Sequence, residues 1–286
     1  MSFRIRQINL QFQNPNEESV NLEGLRCSAI ISTAGGYSSA AQLQIRIYGM
    51  TLAQMNQFSS VGANFVNIQN TTITVSAGNE GDPSLTQVFK GSLISSFIDT
   101  SSLPDVAFVC AAVSAYNYKA TSSTSQKFPG ANNAETIIAG LAKSIGFSFY
   151  NWKNQTHAVL TDQVVSGSVV DQMQQIANHA RFPMVIENET VIIFPNNGFR
   201  DDRIVDVSPE TGMVGYPSYW EAGFNVKCEF NPDLLNGRQV KLTSSIPKAN
   251  GILPVQVSTH ELSTLTPDGA WFTTIKLCPP PYVSPN

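Results

Sequence analysis

The sequence predicts a mainly β protein with a small α/β insert, on three observations. Apolar residues alternate with polar ones over much of residues 1–118; two capped helical patterns and a short hairpin are confined to about residues 126–198; the alternation then returns after Asn196-Asn197-Gly198. The implied organisation is a first β domain over residues 1–118, an α/β insert over 119–199 and a second β domain over 200–286. A chain of 286 residues, against about 150 for a typical domain, has room for all three.

Phe3, Ile5, Ile8 and Leu10 alternate with Arg4, Arg6, Gln7 and Asn9, which reads as a strand and lacks the continuous apolar core of a signal peptide. Leu43, Ile45 and Ile47 alternate with Gln42, Gln44 and Arg46 in the same way. Thr51 predicts the cap of a short helix over 52–58, with Gln54 at the reciprocal capping-box position. Val66 and Ile68, then Gln69-Asn70, then Ile73 and Val75 predict a hairpin. Gly78-Asn79-Glu80-Gly81-Asp82-Pro83 has turn residues but not the ligand spacing of a calcium loop. Residues 85–99 are β-prone, 100–105 form a connection, and 106–116 are apolar or small on both alternating sets, predicting a strand covered on both faces.

Residues 120–130 read as a Ser/Thr-rich connector. Asn132 and Glu135 open a helical pattern in which Ile137, Ile138, Leu141 and Ile145 share a face, and Gly146 ends it. A second helix starts at Ser168 with Asp171 in the third position, lines Val169, Met173, Ile176 and Ala180 on one side, and is blocked by Pro183. Residues 184–186, a turn at Asn188-Glu189, and residues 191–194 predict a hairpin packed on that helix. Further strands are expected at 223–230, 239–243, 255–260 and 270–277. Pro279-Pro280-Pro281 with Pro285 predicts an extended end.

Composition narrows the function. Charged residues are 13% of the chain against a usual share of about 25%, Ser, Thr, Asn and Gln standing in their place, while 42% hydrophobic residues suffice for folding. So weakly charged a surface is poorly soluble alone, which implies that other subunits cover much of it. A net charge of -4 offers no footprint for specific nucleic-acid binding. The longest apolar run, residues 106–113, falls short of the roughly 18 residues of a membrane span, so no stable membrane insertion is expected. Cys27, Cys110, Cys228 and Cys278 are scattered through apolar contexts and read as free buried thiols ahead of disulfides. The triplets at Asn70, Asn154 and Asn188 read as chance products of an Asn/Thr-rich chain rather than glycosylation sites.

The patterns of catalysis are missing. His157, His179 and His260 are far apart, and after His260-Glu261 the second zincin histidine is replaced by Thr264, so no metal site is expected. No G-x-S-x-G elbow, P-loop or G-x-G-x-x-G occurs. The pairs Glu17-Glu18 and Asp201-Asp202 read as solvated loop charge rather than an acid and base of glycoside hydrolysis. Neither enzyme activity nor a cofactor is expected.

Two blocks carry a family resemblance. Val207-Ser208-Pro209-Glu210-Thr211-Gly212-Met213-Val214-Gly215-Tyr216-Pro217, with Trp220 and Gly223-Phe224, resembles the start of the second barrel in baseplate hub proteins of contractile-tailed bacteriophages. Ile47-Tyr48-Gly49-Met50-Thr51-Leu52-Ala53-Gln54-Met55-Asn56 is similar to the strand-to-helix passage of their first barrel. Weaker likeness continues through Val88-Phe89-Lys90-Gly91, Pro104-Asp105-Val106, His260-Glu261-Leu262 and Gly269-Ala270-Trp271-Phe272. The resemblance implies two related β-barrel domains per chain in a homotrimer, a pseudo-sixfold ring joining the hexameric tail tube to the trimeric central spike and letting DNA pass. It also implies surrounding baseplate proteins as neighbours, the tape-measure protein as a further candidate partner, assembly in the bacterial host cytoplasm and a place in the virion tail. The candidate assembly surface is Tyr48, Gly49, Met50, Ser208, Pro209, Glu210, Thr211, Gly212, Met213, Gly215, Tyr216 and Pro217, with Trp271 and Phe272 as core. The insert is expected outside the ring, contacting the baseplate. The alternative from another class is a carbohydrate-binding β protein that stacks sugars on Trp152, Trp220 or Trp271, although apolar spacing around Trp271 favours burial.

Overall fold

The computed structural model describes residues 5–14, 18–34, 39–60 and 71–279. Strands dominate both of its units: Met1–Ser32, Ala41–Asn117 and His260–Phe272 form one, and Thr33–Ala40, Tyr118–Thr259 and Thr273–Asn286 the other.

In the first unit the alternating residues take one face. Strands β1 (Arg6–Gln13), β2 (Val20–Leu22), β3 (Cys27–Ala34), β5 (Gln42–Tyr48), β6 (Thr72–Asn79), β7 (Thr86–Ser102) and β8 (Asp105–Val113) lie in the order β3-β5-β8-β7-β6-β1-β2, each pair antiparallel. Ile8, Leu10 and Phe12, Leu43, Ile45 and Ile47, and Ile73, Val75 and Ala77 are all buried, as period two demands. Helix α1 (Leu52–Phe58) carries the predicted Thr51–Gln54 capping box, and its Phe58 ring stacks 4.8 Å from Phe12, which meets Phe108 edge-on at 6.1 Å. The turn after β6 is a hairpin turn as read: the Asn79 amide donates to Asp82 Oδ2 at 2.8 Å, and the Asp82 amide to the Asn79 carbonyl at 3.1 Å. Val66, Ile68, Gln69 and Asn70 of the other expected hairpin lie outside the described residues.

Two expectations for this unit need correction. The connection at 100–105 shrinks to Leu103-Pro104, because β7 runs on to Ser102. β8 is fully covered on one face only: Phe108, Cys110 and Ala112 are buried, whereas on the other face Ala107 is buried but Val109, Ala111 and Val113 are half-exposed, the cross-strand neighbours of Val109 and Ala111 being Arg46, Phe97, Gln44 and Ser95. The strand ends at Val113, and Tyr116–Ala120 is a short helix, α2.

The second unit includes the residues expected to form the insert. Residues 120–130 are not a connector: β9 (Ser122–Asn133) pairs antiparallel with β11 (Val159–Ser168), and since most of β9 is exposed, no apolar alternation marks it in the sequence. Helix α3 (Ala134–Ser144) begins one residue later than expected; Asn133 holds the cap position without a side-chain cap bond, and Asn132 Nδ2 instead donates to the Pro129 and Gly130 carbonyls. Helix α4 (Val169–Ala180) has the predicted Ser168–Asp171 capping box. It ends at Arg181, in the left-handed region at φ 57, with Pro183 following. β12 (Met184–Glu187) and β13 (Thr190–Ile193) form the expected hairpin, with φ positive at both Asn188 and Glu189 as a two-residue primed turn requires. α3, rather than α4, lies against β13 and against β10 (Ser148–Asn151), whereas α4 packs on β11 and α3. β4 (Ser39–Ala40) completes a four-stranded sheet, β10-β13-β12-β4.

Beyond the insert come β14 (Ile204–Val207), β15 (Met213–Trp220), β16 (Gly223–Glu229), β17 (Gln239–Leu242), β18 (Gly251–Thr264) and β19 (Trp271–Leu277), in the order β15-β16-β19-β18, with β17 between β18 and β14. Val205, Val226, Leu234, Val240, Val255 and Ile275 are among the residues of one apolar core here. Asp201 is not the solvated loop charge expected of it: Arg238 Nη2 stands 2.7 Å away and both side chains are largely buried, while Asp202 is 71% exposed. The partner lies 37 residues on in sequence, so adjacency of two acids could not reveal it. Glu18 is exposed, and Glu17 falls outside the described residues. Cys27, Cys110 and Cys228 are buried free thiols and Cys278 a half-exposed one; burial pushes Cys27 up to about 12. Pro280, Pro281 and Pro285 lie outside the described residues.

Candidate assembly surface

The second motif block builds a locked turn followed by a displayed strand. Ser208 precedes a 3-10 turn, Pro209–Thr211, where the Ser208 amide donates to Thr211 Oγ1 at 2.8 Å and Thr211 Oγ1 donates to the Asp206 carbonyl at 3.0 Å. The Met213 amide closes the turn on the Ser208 carbonyl at 2.9 Å. Gly212 sits at φ 100, and a Cβ there would also press on Glu229 at 3.3 Å, so only glycine suits the position. Glu210 is exposed at the tip, and its bond to Ser208 holds its carboxyl below the ordinary range.

From this turn β15 emerges at the end of the strand order, paired only with β16 among the described residues. Its register breaks between Val214 and Ser218, the stretch that contains Gly215 and Pro217. A bulge and a proline on an edge strand discourage continuous pairing with another strand. Side chains therefore define this edge. Met213 and Pro217 are buried, anchoring the strand, whereas Val214, Tyr216 and Tyr219 are 41%, 74% and 65% exposed. Tyr219 leans on Phe224 at 5.2 Å, and the Lys276 ammonium lies 5.1 Å from the centre of the Trp220 ring. The result is an aromatic, nearly uncharged strip that follows a hydrogen-bonded turn and is anchored by Met213 and Pro217. Aromatic side chains are the residues that dominate protein-protein contact energies.

The first motif block is different. Tyr48 ends β5 with the Arg26 guanidinium 3.8 Å from its ring centre, and Arg26 is itself paired with Asp105 at 2.8 Å. Gly49 turns the chain at φ 88, Met50 is buried, and Thr51 then caps α1. These residues form a corner, not a face. Trp271 is buried, with Arg6 5.6 Å from its ring centre, and Phe272 is half-buried.

The histidines stay in separate environments. His157 pairs with Glu135 at 2.8 Å, which raises its pKa, His179 meets Gln163 at 2.6 Å, and His260 is buried in β18 rather than on a helix. Among the described residues no cluster of three His, Cys, Asp or Glu side chains could hold a metal. Nor is any described helix long and apolar enough to cross a membrane. The sequence missed Val214 and Tyr219 as displayed residues; the signal available was their place in a strand broken by Gly215 and Pro217.

Comparison with known proteins agrees with the resemblance in the two blocks. Residues 7–263 match the family described as Baseplate hub gp41. No curated protein sequence matches significantly. Among solved structures, the chain is similar to a tail protein from Neisseria meningitidis MC58 (TM-score 0.63, 8% identity, 95% of this chain and 96% of that one). It is also similar to the 43 kDa tail protein of prophage MuSo2 from Shewanella oneidensis (0.60, 8%, 96% and 97%). A third similar structure is the E. coli c3393 protein, a type VI secretion component described as resembling T4 tail proteins gp27 and gp5 (0.58, 10%, 94% and 76%). At such identities the likeness is one of fold.

Proposed function

The chain belongs to the Baseplate hub gp41 family and is a structural protein of the bacteriophage tail, and on that premise we propose that three copies form the hub ring, with the β15 strip as the contact through which they assemble. Each chain contributes two related barrels, built from the β segments before residue 118 and after residue 200, so that six similar surfaces meet the tail tube above while threefold symmetry meets the central spike below. The tape-measure protein and DNA pass through the ring. A net charge of -4 suits passage, because a basic lining would exchange the DNA's counterions for Lys and Arg contacts and retain it. The hub assembles in the host cytoplasm, ends in the virion tail, and acts by shape rather than catalysis.

The observation that carries this reading is the exposed Val214–Tyr216–Tyr219 strip on an edge blunted by a bulge and Pro217. A blunted edge joins other chains by side-chain packing rather than by strand addition, and such a head-to-tail contact makes a ring when its rotation closes after three copies. The α/β insert, residues 119–199, carries helices α3 and α4 and strands β9 to β13, with β4 added at the edge of one sheet, and is assigned to contact with the surrounding baseplate.

Light scattering on the purified chain tests the assembly: three chains per particle are expected. Replacing Tyr216 and Tyr219 by Ser should give a folded monomer that keeps the native circular dichroism and unfolds cooperatively, at a temperature that no longer depends on protein concentration. A monomeric native chain, or a double variant that still forms trimers, would contradict it.

A further inference from the structure

We propose that the groove between β9 and α3 binds a neutral oligosaccharide carrying N-acetyl groups. It encloses about 450 Å3, within the range of ligand sites, and is lined only by uncharged residues. Phe128 and Leu141 supply apolar surface, while Gln126, Asn133 and Thr136 supply an amide or hydroxyl. Among the described residues none of these three polar side chains has a hydrogen-bond partner, and Asn133 stands at the cap of α3 without capping it. Uncommitted amides that both donate and accept, beside an aromatic ring, match the hydroxyls and the C–H face of a sugar. The acetamido group adds one donor, one acceptor and a methyl for the apolar floor. With no Lys, Arg, Asp, Glu or His in the lining, a charged glycan would lose hydration without compensation.

The tryptophans do not compete for this role. A cation lies against a face of each: Lys153 at 4.2 Å from Trp152, Lys276 at 5.1 Å from Trp220 and Arg6 at 5.6 Å from Trp271. The inference is independent of ring assembly, since the groove lies wholly within the insert.

Gly140 provides the test. A Cβ added there meets nothing within 4 Å, so Gly140→Leu fills the groove without crowding the fold, and leucine is the better helix former. Calorimetric titration of the full chain with chitotetraose, against cellotetraose of the same linkage without acetamido groups, should show chitotetraose binding at least about tenfold tighter, with a Kd at or below about 1 mM. Gly140→Leu should weaken it by about tenfold or more while keeping the unfolding temperature at or above the native value. Absence of saturation at about 10 mM chitotetraose, equal binding of the two sugars, or undiminished binding by Gly140→Leu would each overturn the proposal. So would equally tight binding of a neutral Ser/Gly-rich peptide, which would make the groove a polypeptide site.

Discussion

At the corner after β5, the Gly49-Met50 pair turns the chain inward: Met50 is buried and Thr51 starts a capped helix. After β14 a second glycine turn, at Gly212, does the opposite, launching a strand that points Val214, Tyr216 and Tyr219 into solvent. Both stretches stood out in the sequence for the same reason, a glycine-marked block of family-like residues. The difference teaches that such a block mixes residues that specify the fold with residues that serve a partner. Only burial separates the two. Substitutions should therefore split into those that unfold the protein and those that disassemble it.

The largest effect is expected away from any surface. Trp271→Ala should cost about 3 to 5 kcal/mol, the usual penalty for emptying a buried aromatic site, measured by denaturant unfolding of the unit that also holds the Gly49 corner. An unchanged unfolding midpoint would show that Trp271 is exposed and would erase the contrast.

Acid should act on the same unit. Burial depresses His260 from 6.5 to about 4, so the folded state resists protonation that the unfolded state accepts. Stability is complete above pH 6.5 and falls as the pH drops towards 4, by roughly 3 kcal/mol at 1.36 kcal/mol per pH unit. The slope of unfolding free energy over this window should flatten in His260→Leu; an unaltered slope would assign the acid sensitivity elsewhere.

Gly49→Ala should cost about 1 to 2 kcal/mol, because φ 88 forces a side chain into the left-handed region. At the other extreme, Tyr216→Ala and Tyr219→Ala should change monomer stability by no more than about 0.5 kcal/mol. Their effect belongs in the association constant, read by concentration-dependent light scattering. A tyrosine substitution that lowers the unfolding free energy of the monomer, measured at concentrations where the chain is dissociated, as far as Gly49→Ala would mean that the strip is part of the fold.

Much of this was legible in the residues. Period-two alternation at Leu43, Ile45 and Ile47, the Thr51–Gln54 and Ser168–Asp171 capping boxes, and the Asn188-Glu189 hairpin are local signals, and the structure realises each where the sequence puts it. β9 was not legible, because a ribbon exposed on most of its length needs no apolar alternation and its Ser/Thr content reads as a loop. Long-range pairing was hidden as well: nothing near Asp201 announces Arg238, and nothing near Arg200 announces Glu187, although they bond at 2.9 Å with both side chains buried. At the candidate site, the turn residues were readable from Gly212 and Pro209. The outward direction of Tyr216 depended on which strand β15 pairs with, a fact carried by residues 223–229.

A cryo-EM reconstruction of the assembled tail tests the central claim most directly. The account predicts three copies around the tail axis, with Tyr216 and Tyr219 buried in a protein-protein contact and two superposable β domains per chain facing the tube. A single copy off the axis, or a ring in which both tyrosines face solvent, would contradict it.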